Sequence, residues 1–203
     1  MVQVAKITLS EQEKRLMCNS DWILAKRSIT TKVILLLNNI LVDFKQIVEE
    51  NKHHLPAEIY TSSPKIAKGE SYLCLPYVTL DYPKFFNKKD VFAMRSMFWW
   101  GNFFSCTLHL SGKYKERFQK NIIQNINKKV VDDLYCCVSE DEWQHHFEKD
   151  NYNKLSGFTK SGLALLLKKQ PFIKIAFKFD LQTWDNLPKL FPKKFAELLM
   201  LIV

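Results

Sequence analysis

Histidine and cysteine are the residues with most chemistry to offer here, and the chain has five of each. Two histidines stand three residues after a glutamate, Glu50 with His53 in "EENKHH" and Glu142 with His145 in "EWQHHFE", where His146 follows directly. On a helix this i, i+3 spacing puts a carboxylate and an imidazole on one face, and paired motifs of this kind hold two metals in carboxylate bundles. The further glutamates that such a bundle needs do not recur in a bundle pattern. No metal site is therefore assigned, and Glu142, His145 and His146 stand as its weak candidates.

The histidine away from these two motifs, His109, lies in "SMFWWGNFFSCTLHLSG". If this arm is a strand, side chains alternate between its two faces. Cys106 and His109 then point to opposite sides and cannot form a thiolate–imidazole nucleophile. Ser105 and His109 share a side but lie about 13 Å apart, too far for a proton to pass directly. What survives is binding chemistry: Trp100, Phe103, Thr107 and His109 form a mixed aromatic and hydroxyl surface. Tyr77 adds a phenol from "KGESYLCLPYVTLDYPKFF", which also holds Tyr72, Tyr82, Glu70 and Asp81. Gly157 and Gly162 match neither phosphate-binding nor dinucleotide fingerprints, and no cofactor is expected.

These residues need elements to position them. Gly101-Asn102 between two aromatic runs predicts a two-residue hairpin of type II′, pairing Trp100 with Phe103, Trp99 with Phe104 and Met97 with Cys106. One face then carries Phe104, Cys106, Leu108 and Leu110 with Met97 and Trp99; the other carries Phe103, Ser105, Thr107 and His109 with Trp100, Phe98, Ser96 and Met94. A rival reading makes "DVFAMRSMF" a helix capped by Asp90.

Upstream, Ser10 and Glu13 predict a capping box opening a short helix, and steps of three and four from Ile29 to Ile47 predict a long helix over about 20–51. Residues 55–70 read as a connection, and "SYLCLPYVTLDYP" as one strand that Pro76 pushes to an edge or a bulge.

Downstream, a helix over "KYKERFQKNIIQNI" is followed by a strand at "LYCCV". Ser139 with Glu142 predicts a capping box and a helix through "EDEWQHHFEK", and "GLALLLKK" a further helix. "FIKIAFKFD" alternates as a strand with one buried and one wet face. In "FPKKFAELLMLIV" Pro192 takes a first helical position, and the apolar end must dock on this chain or on a second copy. The sum is one α+β domain over 1–203: a mostly antiparallel sheet of four or five strands within 70–203, helices on one face, and a helical segment over 1–54.

The formal net charge is +9, but only Arg15, Arg27, Arg95 and Arg117 among the 30 basic residues are arginines. Lysine lacks the forked geometry that grips phosphate and guanine, and no recognition fold accompanies the basic stretch "GKYKERFQKNIIQNINKK". Nucleic acid is not the expected partner. The cysteines show no C-x-x-C spacing, which fits a reducing compartment. The amino terminus turns polar early, and "VILLLNNILVDF" is too short and too interrupted to span a bilayer. A cytoplasmic protein without a membrane segment is expected.

"KGESYLCLPYVTLDYP" and "MFWWGNFFSCTLHLSGKY" resemble a family of uncharacterised bacterial proteins of about 200 residues, a resemblance that implies a shared α+β fold and no activity. Two function classes stay open. One is a module that binds a small molecule or a partner, including a second copy of itself; the other is an enzyme using His109 with the tyrosines, or Glu142 with His145 or His146.

Overall fold

The computed structural model describes residues 7–128 and 133–203. Lys129 of the basic stretch and the first six residues, on which part of the export reading rested, lie outside them. Ser10 caps α1 (Glu11–Met17) as expected: its hydroxyl accepts from the Glu13 N–H, and the Glu13 carboxylate accepts from the Ser10 N–H at 2.7 Å. The long helix α2 (Ser20–Glu50) follows, capped by the Asn19 side chain. α1 buries no residue, and α2 buries none before Val33.

A short helix α3 (Ala57–Tyr60) leads into four consecutive antiparallel strands: β1 (Lys65–Tyr72), β2 (Leu75–Phe86), β3 (Val91–Trp99) and β4 (Phe103–Ser111). Then come α4 (Gly112–Lys128), β5 (Leu134–Cys137), β6 (Tyr152–Lys154), α5 (Lys160–Lys169), β7 (Phe172–Phe179) and α6 (Leu187–Leu199). The sheet order is β1-β2-β3-β4-β7-β5-β6, and every neighbouring pair is antiparallel.

The α+β class holds, with seven strands where four or five were expected. Two strands escaped the sequence reading for physical reasons. The expected single strand across "SYLCLPYVTLDYP" is a hairpin whose turn is Leu73-Cys74, both at positive φ (46° and 64°). Neither residue is the Gly or Asn that normally marks such a turn. β1 therefore begins inside the expected connection, and β6 is only three residues long. "DVFAMRSMF" is strand β3 rather than a helix.

The main core lies between the helices and one sheet face. From α2, Val33, Leu37, Ile40, Phe44 and Val48 meet Leu80, Phe92, Leu108 and Ile175 of the sheet and Phe195 of α6 in one apolar cluster. Phe44 stacks on Phe195 with ring centres 4.0 Å apart. The apolar carboxyl end docks on this chain: Leu201 and Ile202 are buried, and Asn125 Nδ2 donates to the carbonyls of Met200, Leu201 and Val203. α6 starts at Leu187, with Pro188 in its first turn, so Pro192 is interior rather than first; burial of Leu187 carries the helix upstream. Among the described residues no helix is long and apolar enough to cross a membrane.

On the other face of the sheet lies residues 138–151, where the Ser139–Glu142 box predicted a helix. The segment is irregular. Its polar groups are taken by the sheet instead: the Glu142 carboxylate goes to His109, and the His145 and His146 N–H groups go to the Tyr72 hydroxyl.

Candidate functional site

The β3–β4 hairpin exists, but its loop has three residues. Asn102 N–H donates to the Trp99 carbonyl at 3.1 Å, and Gly101 takes φ +70° between them. Trp99 then pairs with Phe103, Met97 with Ser105, Arg95 with Thr107 and Ala93 with His109. This one-residue slip moves every β3 side chain to the opposite face from the expected one. Parity within β4 holds: Phe104, Cys106, Leu108 and Leu110 join the main core, and Phe103, Ser105, Thr107 and His109 face away. Trp100 leaves the expected group; it sits edge-on to Phe98 at 5.3 Å against the main core. Arg95 takes its place on the second face. An arginine inside an apolar strand was the available signal for it, together with an aspartate, Asp81, in the preceding strand.

The register across β7 puts Lys174 beside His109. The expected wet face of β7 is mostly dry: Lys174 is 1% exposed and Ala176 is buried, leaving only Lys178 in solvent. A buried ammonium is costly unless it is paired, so its surroundings matter. Lys174 Nζ donates to the Gln144 carbonyl, a group of the covering segment. Burial, with the Arg95 charge adding to it, pulls its pKa down to about 8.

Next to it, Arg95 grips Asp81 with two bonds, Nε to Oδ1 at 2.7 Å and Nη2 to Oδ2 at 2.9 Å. The third guanidinium nitrogen lies 3.2 Å from His145 Nε2. A guanidinium can only donate, so Nε2 accepts and the His145 proton sits on Nδ1. Burial and the Lys174 and Arg95 charges hold this imidazole neutral, with its pKa well below the usual histidine value. His109 Nε2 donates to Glu142 Oε2 at 2.7 Å; burial lowers its pKa although Glu142 works the other way.

Aromatic packing fastens the same segment. Phe147 stacks on Tyr152 at 4.5 Å and meets Phe103 and Tyr135 edge-on at 4.9 and 5.0 Å. His109 and Thr107 are consequently covered, at 5% and 8% exposure, and do not form the open surface expected of them. The metal candidates part company: Glu142 serves His109, His145 serves Arg95, and His146 Nδ1 lies 3.8 Å from Asp150. Among the described residues no group of three or more histidine, cysteine, aspartate or glutamate side chains is placed to hold a metal ion.

An open cleft of about 340 Å³ remains beside this network, between the β1–β2 side of the sheet and the covering segment. Its lining includes Tyr77, Thr79 and Lys65 on the sheet, the Asp81–Arg95 pair, and Trp143 and His145 of the cover. Of the five sequence-predicted ligand residues, Tyr77 alone lines it. Gly69 shapes that wall: a Cβ there would lie 2.5 Å from the Tyr77 ring, so only glycine lets the ring lie across β1. Tyr72 links cleft and cover. Its hydroxyl accepts the His145 and His146 N–H groups at 2.6 and 3.0 Å, and burial raises its pKa.

No protein-family model, curated protein or solved structure matches this chain.

Proposed function

We propose that the protein is a small-molecule-binding module whose ligand occupies the cleft between β1–β2 and the segment 138–151. One observation carries the reading. The hydroxyls of Ser71, Tyr77 and Thr79 and the ammonium of Lys65 border a cleft of about 340 Å³, and none makes a side-chain hydrogen bond among the described residues. Pre-placed polar groups without internal partners, beside the half-exposed Trp143 and the Tyr77 ring, are what a ligand site supplies. The lining favours a small hydrogen-bonding molecule with one flat face.

The rigid floor supports this. Arg95 and Asp81 satisfy one another, so they orient neighbours without taking up ligand charge. A second reading, an enzyme, rests on the covered groups: His109, bonded to Glu142, and Lys174 beside it both have their pKa values lowered by burial, as bases in active sites do.

The test is a thermal-shift and calorimetric screen of hydroxy acids, monosaccharides and nucleosides against the wild type, Thr79→Val and Gly69→Ala. A binder that raises the melting temperature should weaken by about three- to tenfold in Thr79→Val, the worth of one hydrogen bond, and more in Gly69→Ala, where Tyr77 must move. A binder unaffected by either substitution refutes the location. Turnover of any screened compound that His109→Gln abolishes would favour the enzyme instead.

A further inference from the structure

A second cavity, of about 450 Å³, lies at the hairpin end of the sheet and shares no lining residue with the first cleft; its Trp99 packs edge-on at 5.1 Å to Tyr72, which lines the first. We infer that it binds a free α-amino acid with an aromatic or large apolar side chain, a ligand independent of the one proposed for the first cleft.

The lining has the three parts that such a zwitterion needs. Its floor is aromatic: Trp99 and Phe103 are buried and packed edge-on at 5.3 Å, and Phe147 of the cover closes one side. Trp99 cannot swing away, because its Nε1 donates to the Tyr72 carbonyl at 3.2 Å. A cation stands on the sheet, where Lys178 Nζ lies 5.4 Å above the Phe103 ring and 5.7 Å above the Phe147 ring. A carboxylate stands on the cover, at Glu148.

Lys178 and Glu148 are both exposed, and neither forms an ion pair with a described residue. One free charge of each sign above an apolar floor matches a carboxylate, an ammonium and a side chain on one carbon. A purely anionic or purely cationic ligand would meet one attractive and one repulsive wall.

The rim adds a second observation. Leu73 lines this cavity from a turn in which both it and Cys74 hold positive φ, at a cost of about 1–2 kcal/mol each for residues with a Cβ. The strands on either side hold that turn, and it presents a leucine, 56% exposed, at the rim of the aromatic floor.

The experiment uses the full chain and three probes: L-phenylalanine, 3-phenylpropionate, which lacks the ammonium, and 2-phenylethylamine, which lacks the carboxylate. Calorimetry on the wild type should show saturable binding, tightest for L-phenylalanine. Lys178→Gln should weaken L-phenylalanine and 3-phenylpropionate by about three- to fivefold, as for a solvent-accessible ion pair, and should not weaken the amine, whose repulsive wall it removes. Glu148→Gln should weaken L-phenylalanine and the amine and spare the acid. Both positions are exposed, so the fold is not at risk.

Thr79→Val, in the other cleft, should change none of the three, which separates this site from the first. Absence of saturable L-phenylalanine binding overturns the inference. So does equal weakening of all three probes by either charge substitution, or loss of L-phenylalanine binding in Thr79→Val.

Discussion

Replacing Lys174 by methionine keeps most of its volume and removes its charge, which makes it the sharpest probe of the covered network. The folded protein holds this lysine at a pKa of about 8 against an ordinary 10.5. Between those values the unfolded chain binds more protons than the folded one, so stability rises with pH. Below pH 8 the cost of burying the ammonium is present in full; above pH 10.5 it has vanished. A depression of that size corresponds to about 3 kcal/mol, most of which is relieved between pH 7 and pH 10.

Lys174→Met has no such cost to relieve, although it leaves the Gln144 carbonyl without its donor at every pH. Urea unfolding of both proteins at several pH values, under reducing conditions, gives the difference directly. Cysteines and tyrosines titrate in the same range, but they are common to both proteins and largely cancel in the difference. The wild type should gain about 2–3 kcal/mol on the variant between pH 7 and pH 10. Parallel profiles, agreeing to about 0.5 kcal/mol, would mean that Lys174 is not held in a dry, charge-crowded site, and the covered network would fall with it.

Removing Asp81 strands the Arg95 charge, so Asp81→Ala should lose about 3–5 kcal/mol of unfolding free energy, and Asp81→Leu combined with Arg95→Met should recover much of it; equal losses in the single and double variants would refute a mutual pair. His145 stays neutral in the folded protein while the unfolded chain protonates near its usual 6.5, so stability should fall as pH drops below that value. His145→Gln, which can still accept from Arg95, should flatten part of this slope between pH 7 and pH 5, leaving the His109 share; an unchanged slope contradicts the assignment.

Several elements that depend on near neighbours were legible in the amino-acid order. The Ser10–Glu13 capping box, the long helix read from its threes and fours, the hairpin at Gly101 and the parity of β4 all follow from interactions within a few residues. The hairpin register was a closer matter. Gly101 satisfies a two-residue or a three-residue loop equally well, and the difference of one residue exchanges Arg95 for Trp100 on the second face. The Leu73-Cys74 turn hides for a related reason, since its backbone runs against the preferences of both residues and is held by the strands on either side.

The second face of the sheet belongs to the tertiary structure alone. His109 meets Glu142 across 33 positions of chain, and Tyr72 meets His145 across 73. Alternation in "FIKIAFKFD" told correctly that Lys174 and Lys178 share a side, but burial of the first and exposure of the second depend on where 138–151 crosses the sheet. Local pattern names the face on which a side chain stands; solvent, charge state and cleft are set by whatever segment comes to lie over it, and that is a property of the packed molecule.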